Sequence, residues 1–351
     1  ARLFADIFQL GAYQMTGNLD IGLSIYHKSM WRYPKRDKSY HAAYLGNLGV
    51  VYWIDANVIA VRQSAEFLMD IIKDHPQITL APYGLYLIGI AHYHRNELHR
   101  AQEILAEVVR SNYGTSPMNF AHSALALALT YQAQGQPGQA REICNSVVFN
   151  AIETNNEDLL QIARAFEAEI AHRQGHLNKA FQWAKGYQPK PFRPAYRFYL
   201  PHVTLIRILL AQGTTDSLNQ ATDLLNQLHD FLVSICNNRF RIDVLALQAL
   251  LHNARGEHSV ALEKLTEALN LAEPGRFIRL FVDLGPQMAD LLKRLVMQNV
   301  AVGYIGQILD AFKEDEHSAM QDESDDLTVQ TIHKSTQPMA CLLYTSDAAD
   351  D

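Results

Sequence analysis

Five side chains able to stack on a ligand or hydrogen-bond to it, Gln14, Trp53, Tyr93, Gln132 and His172, recur along the 351-residue chain at spacings of 39, 40, 39 and 40. Leu210 and Asn253 continue the series, and His94 and Arg173 directly follow two of its members. Amide, imidazole, indole and phenol groups together suit a polar ligand with apolar faces, such as a sugar or nucleoside, or an extended peptide. The alternative is an ordinary solvated helix face, which also carries Gln, His and Tyr. Other chemistry is thin. His92 and His94 of the HYH run fall on different faces of a helix, and no carboxylate recurs at ligand spacing, so they fit structural roles better than a metal site. Cys144 occupies an apolar helix position and fits a small buried hydrophobe better than a nucleophile. With no GxSxG elbow or other activated nucleophile, an enzyme reading has no support.

The elements that position these residues are legible in one stretch, Ser116 to Ala151. Ser116 is a capping residue and Pro117 fits the first turn of a helix, where a proline forfeits no intrahelical bond. Phe120, Ala124, Leu127, Ala128 and Tyr131 then share one face at spacings of three and four. Gly135 supplies the left-handed residue that ends a helix. Pro137 opens a second helix with Ala140, Ile143, Cys144 and Val147 on its apolar stripe. Neither stripe is covered within the pair, so neighbours are required.

They are found by using the turn as a ruler. Gly17, Ala56, Asn96, Gly135, Gly175, Gly213 and Gly256 are separated by 39, 40, 39, 40, 38 and 43 residues. Such a period predicts an all-α solenoid of about seven helical hairpins. Seven residues before each turn stand Leu10, Gly49, Gly89, Ala128, Ala168, Ile206 and Ala249. Five after it stand Gly22, Val61, Ala101, Ala140, Ala180, Leu218 and Ala261. Four before it come Tyr13, Tyr52, His92, Tyr131, Ala171, Leu209 and His252. Small residues let two helices approach and larger ones fill the remaining gap. The hairpin from Pro201 departs most, with Leu218 at the small position and Ala221 its candidate replacement after a short insertion. Between hairpins, Trp31 to Asp37, His75 to Pro82 and Tyr187 to Pro201 carry prolines. The last is either a rigid spacer or a hinge, and the spacer is favoured.

This pattern resembles the tetratricopeptide repeat, lengthened beyond its usual 34 residues. The resemblance implies a right-handed superhelix with Gln14, Trp53, Tyr93, Gln132 and His172 on its concave side, joined by His94 and Arg173. After the seventh hairpin, Ala272, Glu273, Pro274, Gly275, Phe277, Arg279, Phe281, Asp283 and Gly285 precede the amphipathic Met288 to Leu295, and Tyr304, Ile305, Ile308, Leu309 and Phe312 match a further short helix. This string resembles the segment that closes the sensor array of large ATP-binding LuxR-family regulators of the MalT-like type.

The resemblance implies a ligand-sensing region. Its groove would take a small-molecule inducer or a protein partner, ATP would bind in an N-terminal domain not present here, and a helix-turn-helix domain would follow. No GxxxxGK[ST] phosphate loop occurs, so no cofactor is expected in this chain itself. Self-association belongs to the intact regulator. The alternative is a stand-alone scaffold for a protein or peptide. A carboxylate clamp is disfavoured within that class, because the comparable positions hold Gly46 and Val50, Tyr86 and Ile90, and Leu125 and Leu129. Arg276, Arg279 and Asp283 are either caps and surface ion pairs or a docking surface for a downstream domain.

Composition sets the remaining bounds. With 30 Lys and Arg against 37 Asp and Glu, the net charge of -7 gives no basic field for nucleic acid or an anionic membrane. Three dispersed cysteines, Cys144, Cys236 and Cys341, without CxxC spacing fit a reducing cytoplasm. The apolar runs Ala81 to Ala91 and Leu45 to Trp53 are too short to span a bilayer. Starting at Ala1 with no signal peptide, the sequence is expected to be a fragment. Its expected divisions are a repeat array over 1–271, a closing segment over 272–312, an acidic disordered linker over 313–340, and a tail over 341–351 that resembles translated adapter sequence.

Overall fold

The computed structural model describes Ser24, Lys28 and residues 38–111, 116–189 and 197–315. Gln14, the Gly17 turn, the Trp31 to Asp37 loop, nearly all of the acidic stretch and the 341–351 tail lie outside the described residues.

Six helical hairpins follow one another among the described residues: α1 (Lys38–Ile54) with α2 (Val58–Asp74), α3 (Ala81–His94) with α4 (Leu98–Arg110), α5 (Pro117–Ala133) with α6 (Pro137–Glu153), α7 (Glu157–Arg173) with α8 (Leu177–Gly186), α9 (Pro201–Gln212) with α10 (Thr215–Ser234), and α11 (Asn238–Ala254) with α12 (His258–Ala272). A 3-10 turn (Glu273–Gly275), a single turn α13 (Arg279–Val282), α14 (Pro286–Met297) and a last helix, α15 (302–315), close the array. The architecture is an all-α solenoid.

Every turn named by the ruler within the described residues is left-handed, with φ of 60° at Ala56, 63° at Asn96, 74° at Gly135, 76° at Gly175, 64° at Gly213 and 78° at Gly256. At five of them the residue after the turn donates back to the carbonyl of the residue four before it, as in Asn57 N to Tyr52 O (2.8 Å), Glu97 N to His92 O (2.9 Å) and Gln136 N to Tyr131 O (2.9 Å). This bond satisfies a carbonyl that the helix end leaves free, and the αL residue is what permits it. Asn155 and Cys236, at φ of 49° and 52°, make the same turn between hairpins, with Asn156 N to Ala151 O and Asn237 N to Leu232 O both at 2.9 Å. The Asn156 and Asn237 side chains then cap the next helices.

The two helices of a hairpin have different jobs. First helices pack on one another as well as on their partners, and α5 is buried continuously from Asn119 to Thr130. Second helices form the outer layer. In α4 only Ala101, Leu105 and Val108 are buried. In the sixth hairpin of the ruler, Ala221 is fully buried while Leu218 is only partly so. The insertion is taken up inside α10, whose 20 residues make it the longest described helix.

Among the described residues the array bends round until its closing elements meet the first two described hairpins. Helix α11 packs on α1, Asn238 Nδ2 donates to Asp55 Oδ1 at 3.1 Å, and the Ile278 amide donates to His94 O at 2.7 Å. Of the connection before Pro201, residues 190–196 lie outside the described residues, and the rigid-spacer and hinge readings stay open there. Phe198, Tyr199 and Leu200 turn inward and are buried, and Arg197 O accepts a 3.1 Å bond from Trp53 Nε1. Among the described residues no helix is long and apolar enough to cross a membrane.

Candidate functional site

Among the described members of the recurrent series, Trp53 and Tyr93 are buried, while Gln132, His172 and Leu210 line one cavity. The inner space is not an open groove. Trp53, Tyr93 and His94 are 1%, 1% and 3% exposed. His94 lies 5.4 Å from the Trp53 ring, 5.5 Å from Phe198 and 5.0 Å from Phe277 between centroids. The expectation that these three line an accessible groove is corrected by what covers them. The closing segment and the Phe198 to Leu200 strut fill that part of the interior, since apolar rings left facing water would forfeit burial energy. His92, facing elsewhere, pairs with Glu97 across the turn. His252 repeats this with Glu257 at 2.5 Å. Both serve the fold.

Gln132, His172 and Arg173 come together instead at a cavity of about 540 Å³. Its other walls are Arg207 and Leu210 of α9, Leu247 and Leu250 of α11, and Arg279, Val282, Asp283 and Asp315 from the closing segment and last helix. The volume suits a small organic molecule. Gln132 Oε1 accepts from Gln174 Nε2 at 2.7 Å, which aims the amide along the rim. Burial lowers the His172 pKa and favours the neutral ring, whose Nδ1 is buried with no protein partner. Cys144 is buried on α6, and burial pushes its thiol up, away from the nucleophilic thiolate.

The closing segment carries charge into the middle of the molecule. Arg279 is 3% exposed, so it belongs neither to a surface pair nor to a docking face; that expectation is corrected for Arg279 and Asp283. The string winds inward because Phe277 and Phe281 need burial and are fully buried. That carries Arg279 and Asp283 with them. Arg279 Nη2 and Nε meet Asp283 Oδ1 at 2.6 and 3.1 Å, and Nη1 meets both oxygens of Asp315 at 2.8 Å. Asp283 also accepts from Tyr93 Oη and lies 3.4 Å from Arg173 Nη1. Arg173 Nε donates to Glu169 Oε1 at 2.7 Å, and Arg207 bridges Glu169 and the Asp283 carbonyl, the latter at 2.9 Å. Thr204 Oγ1 adds a 2.8 Å bond to Glu169.

A second buried arginine, Arg239, pairs with Asp243 at 2.6 Å. Its guanidinium lies 5.1 Å from the Trp53 ring centre and 5.4 Å from that of Phe277. Burial alone would raise the Asp283 and Glu169 carboxyls. For Asp283 the guanidinium groups of Arg279 and Arg173 overcome that and hold it at about 2. For Glu169, Arg207 and Arg173 hold it lower still. The carboxylates are therefore ionised and the network is internally neutralised, as a buried ionic cluster must be.

Glu169, Arg207, Arg239, Asp243 and Asp315 escaped the sequence reading. A signal was present for three of them: Glu169 sits among Ala165, Phe166, Ala168 and Ile170, Arg207 among Ile206, Ile208 and Leu209, and Asp243 beside Ile242 and Val244, all on inner helices. A charge on a helix buried all round needs a buried partner.

A comparison with curated proteins finds no match. The hairpin period, the left-handed turns and the inward closing string agree with a family comparison in which the MalT-like TPR region matches residues 1–298. With most of its length matched, the chain belongs to the MalT-like TPR region family.

Proposed function

We propose that this chain is the ligand-sensing region of a LuxR-family transcriptional regulator of the MalT-like type, and that a small-molecule inducer occupies the cavity beside Gln132, His172 and Arg173. The observation that carries the reading is the cavity itself. It is walled by inner helices from successive hairpins and by the closing segment, so an occupant touches the array and its lock at once. A ligand that binds better to one arrangement of these parts shifts the balance between them. ATP and promoter DNA belong, on this reading, to domains encoded beyond the chain on either side.

Calorimetry with a panel of small metabolites tests the sensing reading. A binding metabolite should lose at least tenfold in affinity in Gln132→Ala and His172→Ala, both partly exposed at the cavity wall. Equal affinity in both variants would place the site elsewhere. The full gene tests the regulator reading, which fails if no phosphate loop precedes Ala1 and no helix-turn-helix follows α15. A scaffold role is the second reading. Phe149 and Ile152, on the outer helix α6, are 62% and 55% exposed, which favours a protein partner on the convex surface rather than inside. Capture of a peptide from a library by the wild-type chain but not by Phe149→Ser would support it.

A further inference from the structure

Three guanidinium groups, those of Arg173, Arg207 and Arg279, stand at the cavity wall. Three carboxylates answer them: Glu169, Asp283 and Asp315. The three acids are not equivalent. Glu169 belongs to an inner helix, and its side chain is 4% exposed, wedged between Arg173, Arg207 and Thr204. Asp283 sits one helical turn from Arg279, is 6% exposed, and is fixed by Tyr93 as well. Asp315 arrives from the separate helix α15, is 29% exposed, and reaches only the outer nitrogen, Nη1, with both its oxygens. It lines the cavity as the most exposed of the three acids. If Asp315 withdraws, three buried cations face two buried anions, and one negative charge is required in its place.

We propose that Asp315 is a built-in stand-in for the anionic group of the ligand: a small organic acid with an apolar body enters the cavity, its carboxylate replaces Asp315 on Arg279, and α15 is thereby released from the ring. The apolar body would lie against Leu210, Leu247 and Leu250, and Gln132 and His172 would meet its polar substituents. A carboxylate entering from the cavity can take Arg279 Nη1 with the same charge-assisted bonds that Asp315 makes, while Nη2 stays with Asp283. The exchange thereby couples occupancy of the interior to the end of α15. This inference rests on the cavity being the ligand site, and adds the charge of the ligand and the element it moves.

The test uses 4-phenylbutyrate and its neutral amide as probes, with the full chain and Asp315→Asn. That substitution lies at the cavity wall and leaves the buried Arg279–Asp283 pair in place. The acid should bind Asp315→Asn at least tenfold more tightly than the wild type, because the internal competitor has lost its charge, while the amide should bind the two proteins alike and more weakly than the acid. At saturation of the wild type with the acid, amide hydrogen exchange should accelerate in 302–315 and stay unchanged in α5 and α7. Equal affinity of the acid for both proteins, an amide that matches the acid, no binding of the acid to either protein, or unchanged exchange in 302–315 at saturation would each overturn the proposal. A neutral metabolite that depends on Gln132 and His172 but leaves 302–315 unaffected would sink this inference and leave the sensing reading standing.

Discussion

At the scale of single residues, the most consequential group is Asp283, because Arg279, Arg173 and Tyr93 all converge on it. Replacing it with asparagine leaves these arginines short of a buried anion. Asp283→Asn is expected to cost about 3–5 kcal/mol, the usual loss when one partner of a buried ion pair is removed, measurable as a fall in urea midpoint. The pH dependence has two limbs. Burial lowers the pKa of His94 well below its ordinary value and that of His122 to about 3. A lowered histidine contributes stability that is present above about pH 6.5 and lost as pH falls below it. The carboxyl of Asp283, held at about 2, contributes stability that is present above about pH 3.9, its unfolded pKa, and lost as pH falls below that. Urea midpoints should therefore decline gently below pH 6.5 and more steeply below pH 4, and Asp283→Asn should flatten the second limb. Asp243 and Asp315, whose carboxyls burial raises, act in the opposite sense.

At the scale of elements, the ruler has an energetic meaning that can be tested glycine by glycine. A Cβ at Gly89 would stand 2.7 Å from Leu105 Cγ and 2.6 Å from its Cδ2, so α3 and α4 touch through a missing side chain. At Gly138, in the first turn of α6, a Cβ would meet nothing within 4 Å. Gly89→Ala is expected to destabilise by about 1–3 kcal/mol through overpacking, whereas Gly138→Ala should be neutral or stabilise by up to about 1 kcal/mol through helix propensity. Thermal unfolding of the two variants checks the contrast. These facts were legible in advance for a physical reason. Turn, small residue and filler are contacts between neighbours in sequence, and Leu105 lies within one hairpin of Gly89. The same locality located Ala221 as the buried small residue of α10. It gave no warning of Phe198, whose partner Tyr93 lies far back in the chain.

At the scale of the whole molecule, closure governs what the interior can do. Gly275 is pressed against the first described hairpin so closely that a Cβ would fall 2.2 Å from the Ala56 carbonyl oxygen. Backbone cannot yield there as a side-chain tip can. Gly275→Ala is expected to open the seam, with faster hydrogen exchange at the Ile278 amide and loss of stability of about 3 kcal/mol, the upper part of the overpacking range. Normal protection of Ile278 in that variant would show that the seam tolerates displacement.

The recurrence of a residue every 39 or 40 positions, read from the chain alone, determined the all-α hairpin array, its turns and its small-residue contacts. These depend on φ preferences, helical period and contacts between adjacent hairpins, and each is written locally. Only the tertiary structure decided which inward residues remain accessible. Curvature brings α11 onto α1 and the closing string onto His94, so Trp53, Tyr93 and His94 lie in a filled core and Gln132, His172 and Arg173 line a cavity. That outcome sums small rotations between successive hairpins over the whole array, and no local pattern of residues encodes where such a sum brings distant hairpins together.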